Sequence, residues 1–173
     1  VNNYKEIMNK ISTFIFDVDG VLTDGSVIVF QNGQLVRTMN VKDGYALQLA
    51  VKKGYRVAVI SGGNNTDVKE RLNGLGVVDV YLKASDKIEA LEELKNIYDL
   101  NLDEVLYMGD DIPDYQVMKE CGLATCPADA AEEIKAICHY VSPRNGGKGC
   151  ARDVIEQVLK VQGKWMINGD HTW

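Results

Sequence analysis

The sequence predicts an α/β fold: a Rossmann-like, doubly wound parallel sheet that carries one β-hairpin insertion. Three observations predict it. Continuous apolar runs such as STFIFDV, YRVAVI and EVLYMGD lack polar alternation, as strands buried on both faces do. Amphipathic segments separate these runs, which is the βαβ pattern of a parallel sheet with helices on both sides. One stretch, SVIVFQNGQLVRTM, breaks the alternation and reads as a projecting hairpin.

The elements follow in order. ISTFIFDV is the first buried strand. In the hairpin, over about residues 26–39, two β-rich runs meet at Asn32-Gly33, a type I′ turn signal. An amphipathic helix starts at Asp43, read as its cap, and stops at Gly54. YRVAVI is the second strand and runs into SGGNN; TDVKERLNGLG is a helix with a glycine stop; VDVYL is a short strand. SDKIEALEELKNIYDL is a helix capped by Ser85. EVLYMGDD is a strand ending in acids, and IPDYQVMKECG is a short helix with Pro113 in its first turn. LATCP, AAEEIKAI and HYV give strand, helix and a last short strand. After the loop SPRNGGKG comes the helix ARDVIEQVLKVQG, then a tail over about residues 163–173 without clear period. No repeat or linker interrupts the chain, so residues 1–173 are expected to form one domain.

Composition narrows the function. Apolar residues make up 46%, which suits a packed core, and the net charge of -6 argues against nucleic acid or an anionic membrane as partner. The four cysteines form no C-x-x-C pair and only His139 and His171 could join them, so a zinc site is not expected. With no apolar run of membrane-spanning length and no signal-peptide core at the start, the expectation is a soluble cytoplasmic protein with reduced thiols.

In an open parallel sheet, ligands bind beyond the carboxyl ends of the strands. Those ends carry, in order, Asp17 and Asp19, then Ser61-Gly62-Gly63, then the segment Lys83 to Lys87, then Gly109-Asp110-Asp111. Singly, each has an ordinary reading as a turn, a cap or a solvated lysine. Together, Asp17, Asp19 and Asp110 crowd carboxylates that need a cation among them. Mg²⁺ suits hard oxygen ligands and brings a phosphate oxygen with it. Ser61 and the Gly62 and Gly63 N–H groups lead toward a helix N-terminus, an anion site to which Lys87 adds charge. Metal, phosphate donors and a free carboxylate read as phosphoryl transfer, with an aspartyl-phosphate as one route. No G-x-x-x-x-G-K-[ST] or strand-following G-x-G-x-x-G is present, and GGKG at 146–149 does not fit the former.

These residues resemble the haloacid dehalogenase (HAD) superfamily of phosphohydrolases. FDVDGVLTDG matches its first motif, VISG its second, Lys87 its third and GDDIPD its fourth, over residues 14–114. The resemblance implies Asp17 as nucleophile, and Asp19 as general acid and base whose carbonyl also binds Mg²⁺. It implies Asp17 and Asp110 as carboxylate ligands, Ser61, Gly62 and Lys87 as phosphoryl contacts, and Asp111 and Asp114 as supporting residues. Only residues 20–42 separate Asp19 from Asp43, which leaves no room for the large cap domain of most members. Capless form, hairpin, VKDGYALQLA and YVSPRNGGKGCARDVIEQVL resemble the family of 3-deoxy-D-manno-octulosonate 8-phosphate (KDO 8-phosphate) phosphatases, over residues 10–164.

That closer resemblance implies a Mg²⁺-dependent sugar phosphatase of lipopolysaccharide synthesis. It also implies a homotetramer whose hairpins pack together and whose sites a neighbour completes. Arg often follows Ser-Gly in the family, whereas this chain has Gly63 and so lacks a cation there. Arg144 or Lys148, in the glycine-rich loop, would meet a substrate carboxylate or else be surface cations. The tail, with Trp165 and Trp173, would cover a neighbouring site or fray. Two alternatives stand beside the eight-carbon substrate: the nine-carbon 2-keto-3-deoxynononate 9-phosphate, and a non-catalytic scaffold or regulatory subunit.

Overall fold

In the computed structural model, which describes residues 3–167 and 169–173, the helix α1 (Tyr4–Met8) leads into β1 (Thr13–Phe16). The hairpin strands β2 (Ile28–Val29) and β3 (Leu35–Val36) follow, then α2 (Val41–Lys52), β4 (Arg56–Ile60), α3 (Thr66–Gly74) and β5 (Asp79–Tyr81). The second half runs α4 (Lys87–Tyr98), β6 (Val105–Met108), α5 (Tyr115–Glu120), β7 (Leu123–Cys126), α6 (Glu132–Ile137), β8 (Tyr140–Val141) and α7 (Cys150–Val161). The six-stranded sheet has the order β5-β4-β1-β6-β7-β8, and every pairing in it is parallel. Strand order reverses beside β1, which puts the switch point, and the site, at its carboxyl end.

The apolar runs sort by period two. Phe14 and Phe16 of β1, Val57 and Val59 of β4, and Leu106 and Met108 of β6 pack against Leu47 and Ala50 of α2, Leu72 of α3 and Val154 and Val158 of α7. Their alternates Ile15, Ala58, Ile60, Val105 and Tyr107 pack on the opposite face against Leu91 and Leu94 of α4, Val117 of α5 and Ile134 of α6. In register, Phe14 lies between Val57 and Leu106. Each such fully buried large side chain contributes about 1.5–3 kcal/mol, so the centre of the sheet is a rigid support for what its strand ends carry.

Three local readings are corrected. The hairpin turn is not type I′, which needs positive φ at both central residues. Asn32 is not among the positive-φ residues; Gly33 alone has φ +81°, Gly33 N–H donates to Phe30 O, and Phe30 N–H donates to Gln34 O. This is a type I turn closed by a glycine bulge, and the Asn32 side chain accepts from Gln34 N–H instead. Helix α2 begins earlier, capped by Asn40 through Lys42 N–H and Asp43 N–H. Asp43 instead accepts from Arg152 N–H at 3.0 Å and so caps α7, whose own boundary residue Gly149 has no side chain to do it. Helix α4 is capped by Asp86 rather than Ser85, because Ser85 N–H folds back to Lys83 O.

The tail lies on its own chain. Trp165 packs on the core, Trp173 meets the Tyr45 ring edge-on, and Lys53 pairs with Asp170 at 2.9 Å. Asn168 of the tail falls outside the described residues. No helix among the described residues is long and apolar enough to cross a membrane.

Candidate active site

β1 ends in Asp17, whose carboxylate Oδ1 accepts from Val18 N–H at 2.7 Å at the start of a tight turn, Val18–Leu22, with extended backbone at Asp19 and left-handed backbone at Gly20. The turn needs glycine at position 20: φ is +82°, and a Cβ there would lie 1.8 Å from Asp110 Oδ2. Asp19 and Asp17 therefore stay near each other without sharing a strand face, and Asp110 moves in against the bare Gly20 backbone.

At the end of β6, Gly109 makes a second close approach. A Cβ there would meet the Asp114 side chain at 2.5 Å. Asp114 is fully buried, and each of its oxygens is occupied. Oδ1 accepts from Lys87 Nζ at 2.7 Å and from Tyr107 OH at 2.9 Å, while Oδ2 accepts from Asp110 N–H at 3.2 Å. Asp114 thus acts through its neighbours: it positions Lys87 and the Asp110 backbone. Asp111 is exposed and caps the next turn through Ile112 N–H. Lys87, the first residue of α4, is buried and bridges Asp114 to Asp17, with Nζ 3.1 Å from Asp17 Oδ1.

The electrostatics follow from this crowding. Burial, then the Asp114 charge, pushes Asp17 up to about 8 against the pull of Lys87. Burial, with Asp114 and Asp111, pushes Asp110 up to about 7. Burial lowers the Lys87 pKa, but Asp17 and Asp114 together outweigh it and the net shift is upward. Tyr107, buried beside two acids, is held well above its ordinary value and remains a neutral donor. Asp17, Asp110 and Asp114 each present one oxygen within 4.8 Å of the others. Asp114 is already committed to Lys87, Tyr107 and the Asp110 N–H, so the hard oxygen donors that fit a divalent cation, which would favour their ionisation, are Asp17 and Asp110.

On the other flank, Ser61 is buried at the end of β4 and its Oγ accepts from Gly63 N–H at 3.1 Å. That N–H is therefore committed within the loop, and α3 begins only at Thr66, capped by Asn65. The reading of Gly63 N–H as a phosphate donor beside a helix N-terminus is corrected accordingly. The Ser61 hydroxyl retains its proton to donate. Gly62 and Lys87 line the acid pocket, a cavity of about 490 Å³ bounded also by Asp17, Asp19, Asp110 and Asp111.

Arg144 and Lys148 are not brought there. The backbone of Gly146 and Gly147 packs on Gly20 and Thr23, where a Cβ at Gly146 would lie 1.9 Å from Gly20 O. The flanking cations are turned away into a separate groove with Lys42 and Arg152. Two residues of the site were missed in the sequence. Tyr107 looked like core, and only its hydroxyl inside an apolar strand hinted otherwise. Arg37, at the exit of the hairpin, binds Asp19 through both oxygens, Nε to Oδ1 at 2.6 Å and Nη2 to Oδ2 at 3.1 Å. Its guanidinium lies 3.2 Å from where a Gly63 Cβ would be, so a cation does stand near position 63, supplied from another element.

Known proteins resemble this chain in sequence and in fold. Residues 72–153 match the family model described as haloacid dehalogenase-like hydrolase. The chain is 35% identical over 155 residues to the 3-deoxy-D-manno-octulosonate 8-phosphate phosphatase of Yersinia pestis, covering 90% of this chain and 83% of that protein. It is 36% identical to the Escherichia coli K12 protein of the same name, covering 90% and 82%. Among solved structures, the Yersinia pestis phosphatase superposes with TM-score 0.91 at 33% identity, covering 94% of this chain and 88% of that one. The Moraxella catarrhalis phosphatase, solved with magnesium, phosphate and KDO, superposes with TM-score 0.91 at 31% identity over 95% of each chain. With acids at the ends of β1 and β6, a serine at the end of β4 and a buried lysine between them, the chain belongs to the haloacid dehalogenase-like hydrolases and is a phosphoric monoester hydrolase of that family.

Proposed function

We propose that this chain is a capless, Mg²⁺-dependent phosphatase that hydrolyses KDO 8-phosphate to KDO and phosphate in lipopolysaccharide sugar synthesis. The observation that carries the reading is the acid pocket itself, with two acids two positions apart in opposite settings. Asp17 is buried against Lys87, whereas the Asp19 side chain is 41% exposed, at the mouth. The similarity to named KDO 8-phosphate phosphatases supports the substrate.

Asp17, Asp110 and the Asp19 carbonyl would hold Mg²⁺. When bound, it neutralises the carboxylates and draws charge from the phosphoryl oxygens. The residues do the rest. Asp17 Oδ1 is tied to Val18 N–H and Lys87, which leaves Oδ2 to attack phosphorus. As the new O–P bond forms, the ester O–P bond breaks and the sugar oxygen takes a proton from Asp19. Asp19 then takes a proton from water, which attacks the aspartyl-phosphate and releases phosphate and the Asp17 carboxylate. Ser61, Gly62 and Lys87 hold the phosphoryl oxygens throughout, with Asp111 and Asp114 in support.

We further infer a homotetramer with hairpins at its centre. Ile28, Val29 and Phe30 are 54, 67 and 49% exposed, an apolar run too long for a free surface. The four free cysteines fit a cytoplasmic setting. The test compares kcat/KM with Mg²⁺ on KDO 8-phosphate and on the nine-carbon 2-keto-3-deoxynononate 9-phosphate. Preference for the eight-carbon ester is expected. Preference for the nine-carbon ester keeps the mechanism and changes the substrate, and turnover of neither rejects the substrate reading.

A further inference from the structure

The Arg37–Asp19 pair has no place in the steps above, yet it holds the residue that those steps require to be free. Arg37 reaches inward from the hairpin with its side chain only 7% exposed. One rigid fork engages both Asp19 oxygens. In that geometry both oxygens are engaged by Arg37, although Asp19 also lines the acid pocket. Arg37 and Gly63 also border a second groove of about 400 Å³ between the hairpin and the loop after β4, where Asn64 and Asn65 add polar groups. Gly63 lines the acid pocket as well, so the two cavities meet at that residue. An ester with phosphorus beside Asp17 has a path for its organic part past Gly63 and under Arg37.

We propose that Arg37 is a shuttle: it pairs with Asp19 in the free enzyme and transfers to a carboxylate on the organic part of the bound substrate. The hairpin groove is then the subsite for an acidic sugar, and binding of the correct substrate is what releases Asp19 toward the ester oxygen. The exchange replaces one carboxylate on the fork by another, so no buried charge is left unpaired in either state. It also gives a capless site a means of selecting acidic substrates. This inference rests on the phosphatase reading and deepens it.

The experiment compares wild type, Arg37→Gln and Arg37→Lys, reading KM for KDO 8-phosphate and the inhibition constant of inorganic phosphate, which carries no carboxylate. Arg37→Gln is expected to raise KM about 10- to 100-fold, the range of a lost charged hydrogen bond. Phosphate inhibition should stay unchanged, and Arg37→Lys should recover part of the loss. An unchanged KM, or an equal weakening of phosphate, overturns the proposal while leaving the phosphatase reading intact. Failure of wild type to turn over either the eight-carbon or the nine-carbon keto-acid ester overturns both this proposal and the substrate reading. Because Arg37→Gln could disturb the hairpin, calorimetric binding of free KDO to Asp19→Asn supplies a second arm. Freed of its partner, Arg37 should bind the acid several-fold more tightly than in wild type, and equal or weaker binding overturns the proposal.

Discussion

Asp17 and Asp43 are both buried acids, and their surroundings give them different tasks. Asp17 faces Lys87 and the acid pocket, and Asp17→Asn keeps its shape while removing its charge. This variant is expected to lose phosphate release by about a thousandfold or more, as loss of a covalent nucleophile does, with the fold retained. Retained Mg²⁺-dependent turnover would show that Asp17 is not the nucleophile. Asp43 is 2% exposed, and its Oδ2 is buried without a hydrogen-bond partner among the described residues. Burial raises its pKa despite the Arg152 N–H. The folded chain therefore holds this proton where the unfolded chain has lost it, so stability falls as pH rises from the ordinary carboxylate range through the folded pKa. Asp43→Asn keeps an acceptor for α7 and removes the charge. Its melting temperature relative to wild type should climb with pH across that window, and a constant difference would rule the charge out as the cause.

Among the elements, the hairpin and the loop after β4 are coupled by one side chain. Asn65 Oδ1 caps α3 through Val68 N–H at 3.1 Å, and Asn65 Nδ2 donates to Leu35 O at 3.0 Å on β3. Asn65→Ala removes both, with an expected cost of about 1–2 kcal/mol. Faster amide exchange in the hairpin as well as in the first turn of α3 would verify the coupling; a change in α3 alone would refute it. The SPRNGGKG loop shows the same logic by contact. Its glycine backbone props the turn after Asp19, Gly147 N–H donating to Val21 O at 2.9 Å, and this support is what sends Arg144 and Lys148 elsewhere.

Over the whole molecule, charge and apolar surface make two further claims. In metal-free protein, Asp17 and Asp110 are raised to about 8 and about 7. The fold then binds protons that the unfolded chain has released, and stability falls as pH rises from the ordinary carboxylate range through those values. Mg²⁺ favours the ionised set. Its stabilisation, about 2.7 kcal/mol at a hundredfold excess over Kd, should show as a larger rise in melting temperature above these pKa values than below them. An equal rise at both would argue against these carboxylates as ligands. The hairpin makes the other claim. Val29→Asp, at a position 67% exposed in the single chain, should lower the mass measured by light scattering without unfolding the subunit, whereas an unchanged mass would place the interface elsewhere.

The strands and the chemistry at their ends were legible in the amino-acid order. Short unbroken apolar runs rich in β-branched residues read as strands buried on both faces, and Asp17, Ser61, Lys87 and Asp110 follow such runs or begin the next helix. Gly20 was legible too, since two acids followed by glycine imply a turn that residues with a Cβ resist. The contacts made across elements came from packing. Asp43 caps a helix more than a hundred residues away, Tyr107 turns a core strand toward Asp114, and Arg37 arrives from the hairpin beside Gly63. Local pattern reports which face a residue takes and where a helix begins. It carries no record of which distant group will be brought within hydrogen-bond reach, because that distance is set by how the layers pack.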